Sequence, residues 1–286
     1  MKESALMEAL RQRGEISTIA VRETSEMERA FPPPSGDQEN GHDPKATLRT
    51  VLRRLFHGLR KTPLHPQWIV TRREEKHLQE IAGFLRGRVL DVGSGDRRLE
   101  NYLPPQIRYI AVDYPPSGRR YRSLPHIWGD AMRLPFCSGT MDSLVLLEVL
   151  EHLPDARAAI SEAARVLKSG GLVVATFPFL YPIHDAPFDF GRITQYLIER
   201  LAADAGLEIR RLAERGTAME TAALLASLAL TQSAIEALQR KHPLALVLAP
   251  ALFLVPILNM LGYGLSRLLP IHDFMPLGYL AVLEKR

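Results

Sequence analysis

A chain of 286 residues, 46% of them apolar, has material for one large core or two small ones. Its single cysteine, Cys137, excludes an internal disulfide and a cysteine-built zinc site, and fits a reducing compartment. The formal net charge of +4 is modest and says little about partners unless it is concentrated somewhere.

The opening Met1–Glu8 mixes acids with apolar residues, so no secretory signal is expected. Residues 1–46 carry few large apolar side chains and run through Phe31-Pro32-Pro33-Pro34-Ser35-Gly36, which reads as a flexible N-terminal region. Residues 47–71 form a second unit, a basic helix and its linker. Over 46–62, Leu48, Val51, Leu52, Leu55, Phe56 and Leu59 fall at helical spacing. Arg49, Arg53, Arg54, Arg60 and Lys61 occupy the remaining surface. Such a helix either lies on an anionic membrane surface or packs its apolar side on its own domain.

From residue 72 to 286 helical and strand patterns alternate. A charged helix is predicted over 72–86, then a strand over 88–92, a helix near 97–103, and strands over 107–112 and 127–128. Ser143–Leu147 reads as a strand and 155–167 as a helix. The turn Lys168-Ser169-Gly170-Gly171 precedes a strand over 172–176. A helix over 194–205, a strand over 207–211 and a final strand over 279–283 complete the pattern. This rhythm argues for a parallel sheet with helices on both faces. A hydrophobic helical insertion, 218–270, separates the last two strands.

In open sheets of this kind ligands sit beyond the carboxyl ends of the strands. The first strand ends in Asp91-Val92-Gly93-Ser94-Gly95, and the second ends in Val112-Asp113. Two glycines let a ligand approach the backbone, and an acid some twenty residues on, roughly, is placed for ribose hydroxyls. The dinucleotide pattern Gly-x-Gly-x-x-Gly fails at Arg98, which disfavours NAD.

At these residues the chain resembles the class I methyltransferases that use S-adenosylmethionine (SAM). Val89–Gly95 resembles the first motif, and Asp113 the ribose-binding acid. Gly129–Phe136 resembles the adenine-side segment, and Met141–Leu153 the fourth strand with its leu-glu-his-leu continuation. Arg165–Leu172 resembles the turn into the fifth strand. The resemblance implies a doubly wound, Rossmann-like α/β sheet of seven strands, mostly parallel with an antiparallel last strand. It implies SAM as cofactor, held by Asp91, Gly93, Ser94, Gly95, Asp113, Asp130 and Ala131, with Glu148 either on the pocket wall or solvated. Two departures stand out. Asp96-Arg97 replaces a further glycine found in many relatives, and Tyr114-Pro115-Pro116 follows the ribose acid.

The acceptor region is expected after the fifth strand, in Phe177–Thr194. It resembles a His-x-x-Pro-x-Asp-x-x-Arg-x-Thr stretch in a subset of the family, read here at His184, Pro187, Asp189, Arg192 and Thr194. His184 is the candidate base, with Asp189 orienting it or Arg192. The alternative is a loop clamp in which Asp189 pairs with Arg192 without chemistry. Beside His184-Asp185 no third metal ligand is evident, so no metal is expected.

Leu244–Leu265 is the most apolar stretch, close to the ~20 residues a spanning helix needs. Strands on both sides of it belong to one sheet, which excludes a single crossing, and Pro250 and Pro256 suggest a bend. It either dips into one leaflet or covers the acceptor pocket as a lid or a homodimer contact. The expected function is SAM-dependent methyl transfer to a small-molecule or lipid- or glycan-linked hydroxyl. The expected place is the cytoplasm, peripheral on the inner face of an anionic membrane. A non-catalytic module of the same fold is the alternative. An RNA methyltransferase ranks below both, since nucleic-acid binding would need interleaved aromatics and only Trp68 is offered.

Overall fold

The computed structural model describes residues 10–14, 58–115, 125–269 and 274–286. Except for 10–14 and 58–62, the expectations for the N-terminal region and the basic helix lie outside the described residues. The first elements are a single turn of helix, α1 (Trp68–Thr71), and α2 (Glu74–Ala82). The helix predicted over 72–86 is therefore shorter, and it opens with Glu74 and Glu75, which suit the positive end of its dipole.

Seven strands follow: β1 (Arg88–Val92), β2 (Arg108–Asp113), β3 (Ile127–Trp128), β4 (Met141–Leu147), β5 (Leu167–Pro178), β6 (Leu207–Arg215) and β7 (Gly278–Lys285). They lie in the order β3-β2-β1-β4-β5-β7-β6. β7 is antiparallel to both neighbours, and the pairings from β3 to β5 are parallel. Between β1 and β4 the direction of winding reverses, and there the loops after two strand ends diverge and leave a crevice.

The central strands are buried on both faces and so read as continuous apolar runs. Neighbours in sequence serve opposite layers: Leu90 joins Ile110, Leu144 and Val173 on one face, and Val89 joins Val145, Val174 and Val282 on the other. The first face is covered by α3 (Ala156–Val166) and α4 (Gln195–Asp204) through Ile160, Ala163, Ile198 and Leu201. The second is covered by Ile81 and Ala82 of α2. Asp155 caps α3 by accepting from Ala158 N, and Thr194 caps α4 by accepting from Leu197 N.

Two predicted elements take other forms. The helix near 97–103 is a 3₁₀ turn, Arg98–Tyr102. The Lys168–Gly171 turn sits inside β5, whose pairing with β4 runs from Leu167↔Met141 to Leu172↔Ser143 around the extra residues. Gly171 is required there, because a Cβ would stand 2.9 Å from Lys168 O.

Between β6 and β7 come α5 (Ala218–Gln239), α6 (Ala245–Ala251) and α7 (Leu254–Leu268). A Thr217/Glu220 capping box starts α5. α7 returns along α5 so closely that a Cβ on Gly262 would meet Ala223 Cβ at 2.4 Å. Buried Asn259 donates to Pro63 O (2.7 Å) and His65 O (3.0 Å), and Glu220 pairs with Arg72 and Arg73. These bonds fasten the helices to the segment before α2. Among the described residues, α5 is long and apolar enough to cross a membrane as a single helix, and α6 and α7, bent by 42° at their junction, are so only when taken together. The outer side of the α6–α7 pair is bare hydrocarbon: Leu246, Phe253 and Leu268 are 82%, 80% and 76% exposed.

Candidate active site

The loop after β1 is folded by its own backbone. Gly93 N and Ser94 N both donate to Val112 O, at 2.8 and 3.1 Å, which draws the loop across the end of β2. Gly93 has φ +76°, and a Cβ there would meet Val149 Cγ2 at 2.4 Å. Gly95 also has positive φ, but the space above it is open. Asp113 braces the loop: its Oδ2 accepts from Gly95 N (3.1 Å) and its Oδ1 from Tyr114 N (2.8 Å).

The missing glycine of the family pattern explains itself here. Arg97 has φ +59°, the left-handed conformation a glycine would adopt without strain. Its guanidinium pairs with Glu100 at 2.6 Å. Arg97→Gly should therefore leave stability nearly unchanged, losing an exposed ion pair and relieving the backbone. Arg97→Val, β-branched at positive φ, should cost about 1–2 kcal/mol more in urea denaturation. Equal stabilities for the two variants would contradict this account of the loop.

Under the loop lies a cavity of ≈ 260 Å³. Val92, Ala131, Met132, Val149, Leu153, Phe188 and Phe190 make it an apolar slot, and Asp113 and Asp130 stand on its wall. Asp130 is fixed by accepting from Met132 N at 2.8 Å. A flat base between apolar walls with acids for its polar edges fits this lining. Beside it is a second cavity of ≈ 490 Å³, bounded by α1, α2, the β5–α4 loop and the roots of the helical insertion. Gly93, Gly95, Glu148, His152 and Asp185 line both.

Glu148 stands at this shared wall with φ +54°, an uncommon conformation for a residue with a side chain, and one that marks functional sites more often than scaffold. Arg215 Nη1 donates to Glu148 Oε1 at 2.5 Å, and Arg215 Nη2 lies 3.2 Å from His77 Nδ1. Burial, and then the Arg215 charge, push His77 down to about 4, so a neutral imidazole can accept from Arg215.

Three residues converge at the same junction. Glu151 is 1% exposed, and neither carboxyl oxygen has a hydrogen-bond partner. Burial first, and then the like charge of Glu148, push this carboxyl up to about 9. His152 Nε2 stands 3.7 Å from Glu151 Oε1, while its Nδ1 is 2.7 Å from Phe188 O. The His184 ring packs edge-on against His152, centroids 4.8 Å apart, and against Tyr181 at 5.3 Å. His184 Nδ1 lies 3.3 Å from Asp189 Oδ2, which also accepts from His184 N at 2.9 Å. Arg192 holds Asp189 with two nitrogens and donates to Tyr181 O and Pro182 O. That guanidinium keeps the Asp189 carboxyl well below the usual range.

The sequence-predicted residues therefore fall into two groups. Gly93, Gly95, Asp113, Asp130, Ala131 and Glu148 line the first cavity, and His184 lines the second. Asp91, Ser94, Asp189 and Arg192 line neither. Asp91 is buried behind the loop with Tyr109 Oη on its Oδ2 at 2.6 Å, and buried Ser94 has no partner for its Oγ. Asp189 and Arg192 form the clamp weighed as the alternative, and through it they orient His184. Glu151, Arg215 and His77 were missed. Glu151 is buried, and the cap of α3 is Asp155. The candidate ligands that join His184 in space are Glu151 and His152, from beyond the β4 end, and Asp185 is not among them.

Residues 90–175 match the family model described as a methyltransferase domain. The demethylmenaquinone methyltransferase of Renibacterium salmoninarum is 32% identical over 145 residues, 47% of this chain and 59% of that protein. The protein of the same name from Corynebacterium urealyticum is 35% identical over 95 residues, 32% of this chain and 41% of that one. The chain thus spans about half the length of these curated relatives. A SAM-dependent methyltransferase structure from Aquifex aeolicus is 17% identical, covering 58% of this chain and 91% of that one, with a TM-score of 0.40.

Proposed function

We propose, from the premise that residues 90–175 of this chain are a SAM-dependent methyltransferase domain, that the protein methylates an amphiphilic small molecule presented at a membrane surface. The observation that carries this reading is the common wall of the two cavities, which brings a nucleoside-shaped slot against a roomier, partly polar chamber.

The first cavity fits SAM on its own features. The open space over Gly95 admits a ligand against the backbone, and apolar walls flank a base whose polar edge Asp130 would meet. Asp113 would take the ribose hydroxyls, and Gly93, Glu148 and the buried Asp91 would flank the methionine end, with Ser94 Oγ beside them. Bound there, SAM supplies a methyl group already activated on a sulfonium. The residues then have to hold the acceptor in line, exclude water and take up a proton where the acceptor is a hydroxyl. His184, steered by Asp189 through its Nδ1, stands where that proton would be met. Arg192 acts at one remove, through Asp189 and the loop carbonyls.

The acceptor chamber is walled by Arg215, Gly216, Glu220, Leu277 and Gly278, where the helical insertion leaves and rejoins the sheet. The same insertion presents the bare side of α6 and α7. An amphiphile of the kind named in the relatives, demethylmenaquinone, would be delivered from the bilayer those helices touch, on the cytoplasmic side.

The test uses anionic vesicles loaded with demethylmenaquinone held in its quinol form by dithionite, the form that carries a hydroxyl, and SAM carrying a labelled methyl. The intact chain should float with the vesicles and transfer label into the lipid extract. Leu246→Glu with Phe253→Glu and Leu261→Glu should keep SAM binding yet lower vesicle partitioning on the order of 100-fold or more. An intact chain that binds SAM but stays with the soluble fraction, as a dimer in sedimentation, would assign those helices to a homodimer contact instead. Label transfer to no lipid acceptor from floated protein would sink the acceptor class.

A further inference from the structure

We propose that Glu151, His152 and His184 bind a divalent transition-metal ion at the junction of the two cavities. One ligand atom from each lies within 4.8 Å of the others, and this is the one such cluster among the described residues. Around a single ion at ~2.0–2.2 Å the three would stand closer, so binding would draw them together.

Three further observations point the same way. The Glu151 carboxylate is 1% exposed and neither oxygen is hydrogen-bonded. A buried carboxyl group with no partner on either oxygen is costly, and a bound cation would satisfy it. The nearby Arg192 does not serve, because its nitrogens go to Asp189 and to backbone carbonyls. Both imidazoles are also already set in the tautomer that metal ligation requires. His152 Nδ1 lies 2.7 Å from Phe188 O, and His184 Nδ1 lies 3.2 Å from Pro182 O and 3.3 Å from Asp189 Oδ2, so each Nδ1 is taken by oxygens and each Nε2 is left for ligation. Metal-bound histidines are oriented in this way by a carbonyl or carboxylate on the far nitrogen. Finally, Glu148 shares the wall, so a second carboxylate faces the same space.

Two imidazoles favour manganese, cobalt, iron or zinc over magnesium. Three protein ligands leave a coordination position open, and His152 borders both cavities. Resting on the methyl-transfer reading, that position would take the acceptor hydroxyl. Its O–H bond would break with the proton passing to water, the oxygen pair would form the new O–CH3 bond, and the S–CH3 bond would break with its electron pair left on the sulfur of S-adenosylhomocysteine. His184 is then a ligand, and the metal takes over the task of the base.

The test is a Co²⁺ titration of the untagged full-length chain, stripped with chelator, followed by visible absorption and run beside a SAM calorimetric titration. One Co²⁺ per chain is expected, displaced by Zn²⁺. Glu151→Gln and His184→Asn should each weaken binding about 100-fold or more, and Asp189→Asn about 10-fold, in proteins whose circular dichroism is unchanged. A chain that binds SAM but no Co²⁺ overturns the metal site and leaves the donor reading intact. Co²⁺ binding indifferent to both ligand substitutions also overturns it. Co²⁺ binding lost in the variants, in a chain that never binds SAM, upholds the site while the methyltransferase reading falls.

Discussion

Replacing Asp113 by alanine should weaken SAM binding by about 100- to 10,000-fold in calorimetric titration. On the proposed reading its carboxylate would accept from two ribose hydroxyls, and hydrogen bonds to a charged group are worth about 1.5–3 kcal/mol each. Two of them correspond to roughly that loss of affinity. The same side chain braces the glycine loop through Gly95 N and Tyr114 N, so its removal also releases the loop. Asp113→Asn keeps one oxygen and should fall between the two proteins. S-adenosylhomocysteine should suffer the same loss as SAM, since the contact is to the ribose. A dissociation constant within threefold of the wild type would refute this placement of the ribose.

Asp91→Asn should stabilise the ligand-free protein above neutral pH. Burial pushes the Asp91 carboxyl up to about 7, against the downward pull of the Tyr109 hydroxyl. The sign follows from proton linkage. The folded chain holds this proton more tightly than the unfolded chain, whose carboxyl titrates near its ordinary value of 3.8. The stabilisation is therefore complete below that value and is lost as pH rises toward and through 7. The loss approaches roughly 4 kcal/mol as a ceiling. Asparagine keeps an oxygen for Tyr109 and carries no charge, so the variant should gain on the wild type between pH 5 and 8 in urea denaturation. SAM binding should respond in the opposite sense. A cationic methionine end favours the ionised carboxylate, so wild-type affinity should fall as pH drops below 7 and the variant should bind weakly throughout. Parallel stability curves for the two proteins over that range would show that the buried charge carries no such cost.

What could be read from the chain divides by the range of the interactions concerned. The glycine loop is legible because Gly93, Gly95 and Asp113 act through local backbone geometry. The start of the helical insertion is legible too, since the apolar pattern opens at residue 218 and α5 begins at Ala218. β5 was underestimated because a glycine-rich turn signal cannot tell a chain reversal from a bulge inside a strand. Glu151 was misjudged because burial is decided by the β5–α4 loop folding over it, a contact with no local signature. Arg215 and His77, polar and far apart in sequence, meet only because β6 lies at the sheet edge beside α2. In the acceptor stretch the spacing of Asp189 and Arg192 was visible, but not that both turn away from the cavities.

The helices between β6 and β7 have both feet on one rung of the sheet, Arg215 opposite Gly278. Those feet are also panels of the acceptor chamber, and Arg215 reaches through to Glu148 at its shared wall. A lever hinged on the door frame cannot lean without moving the door. A displacement of α6 and α7 would therefore bear on the width of the chamber, through Glu220 and its two arginines on one side and Arg215 on the other.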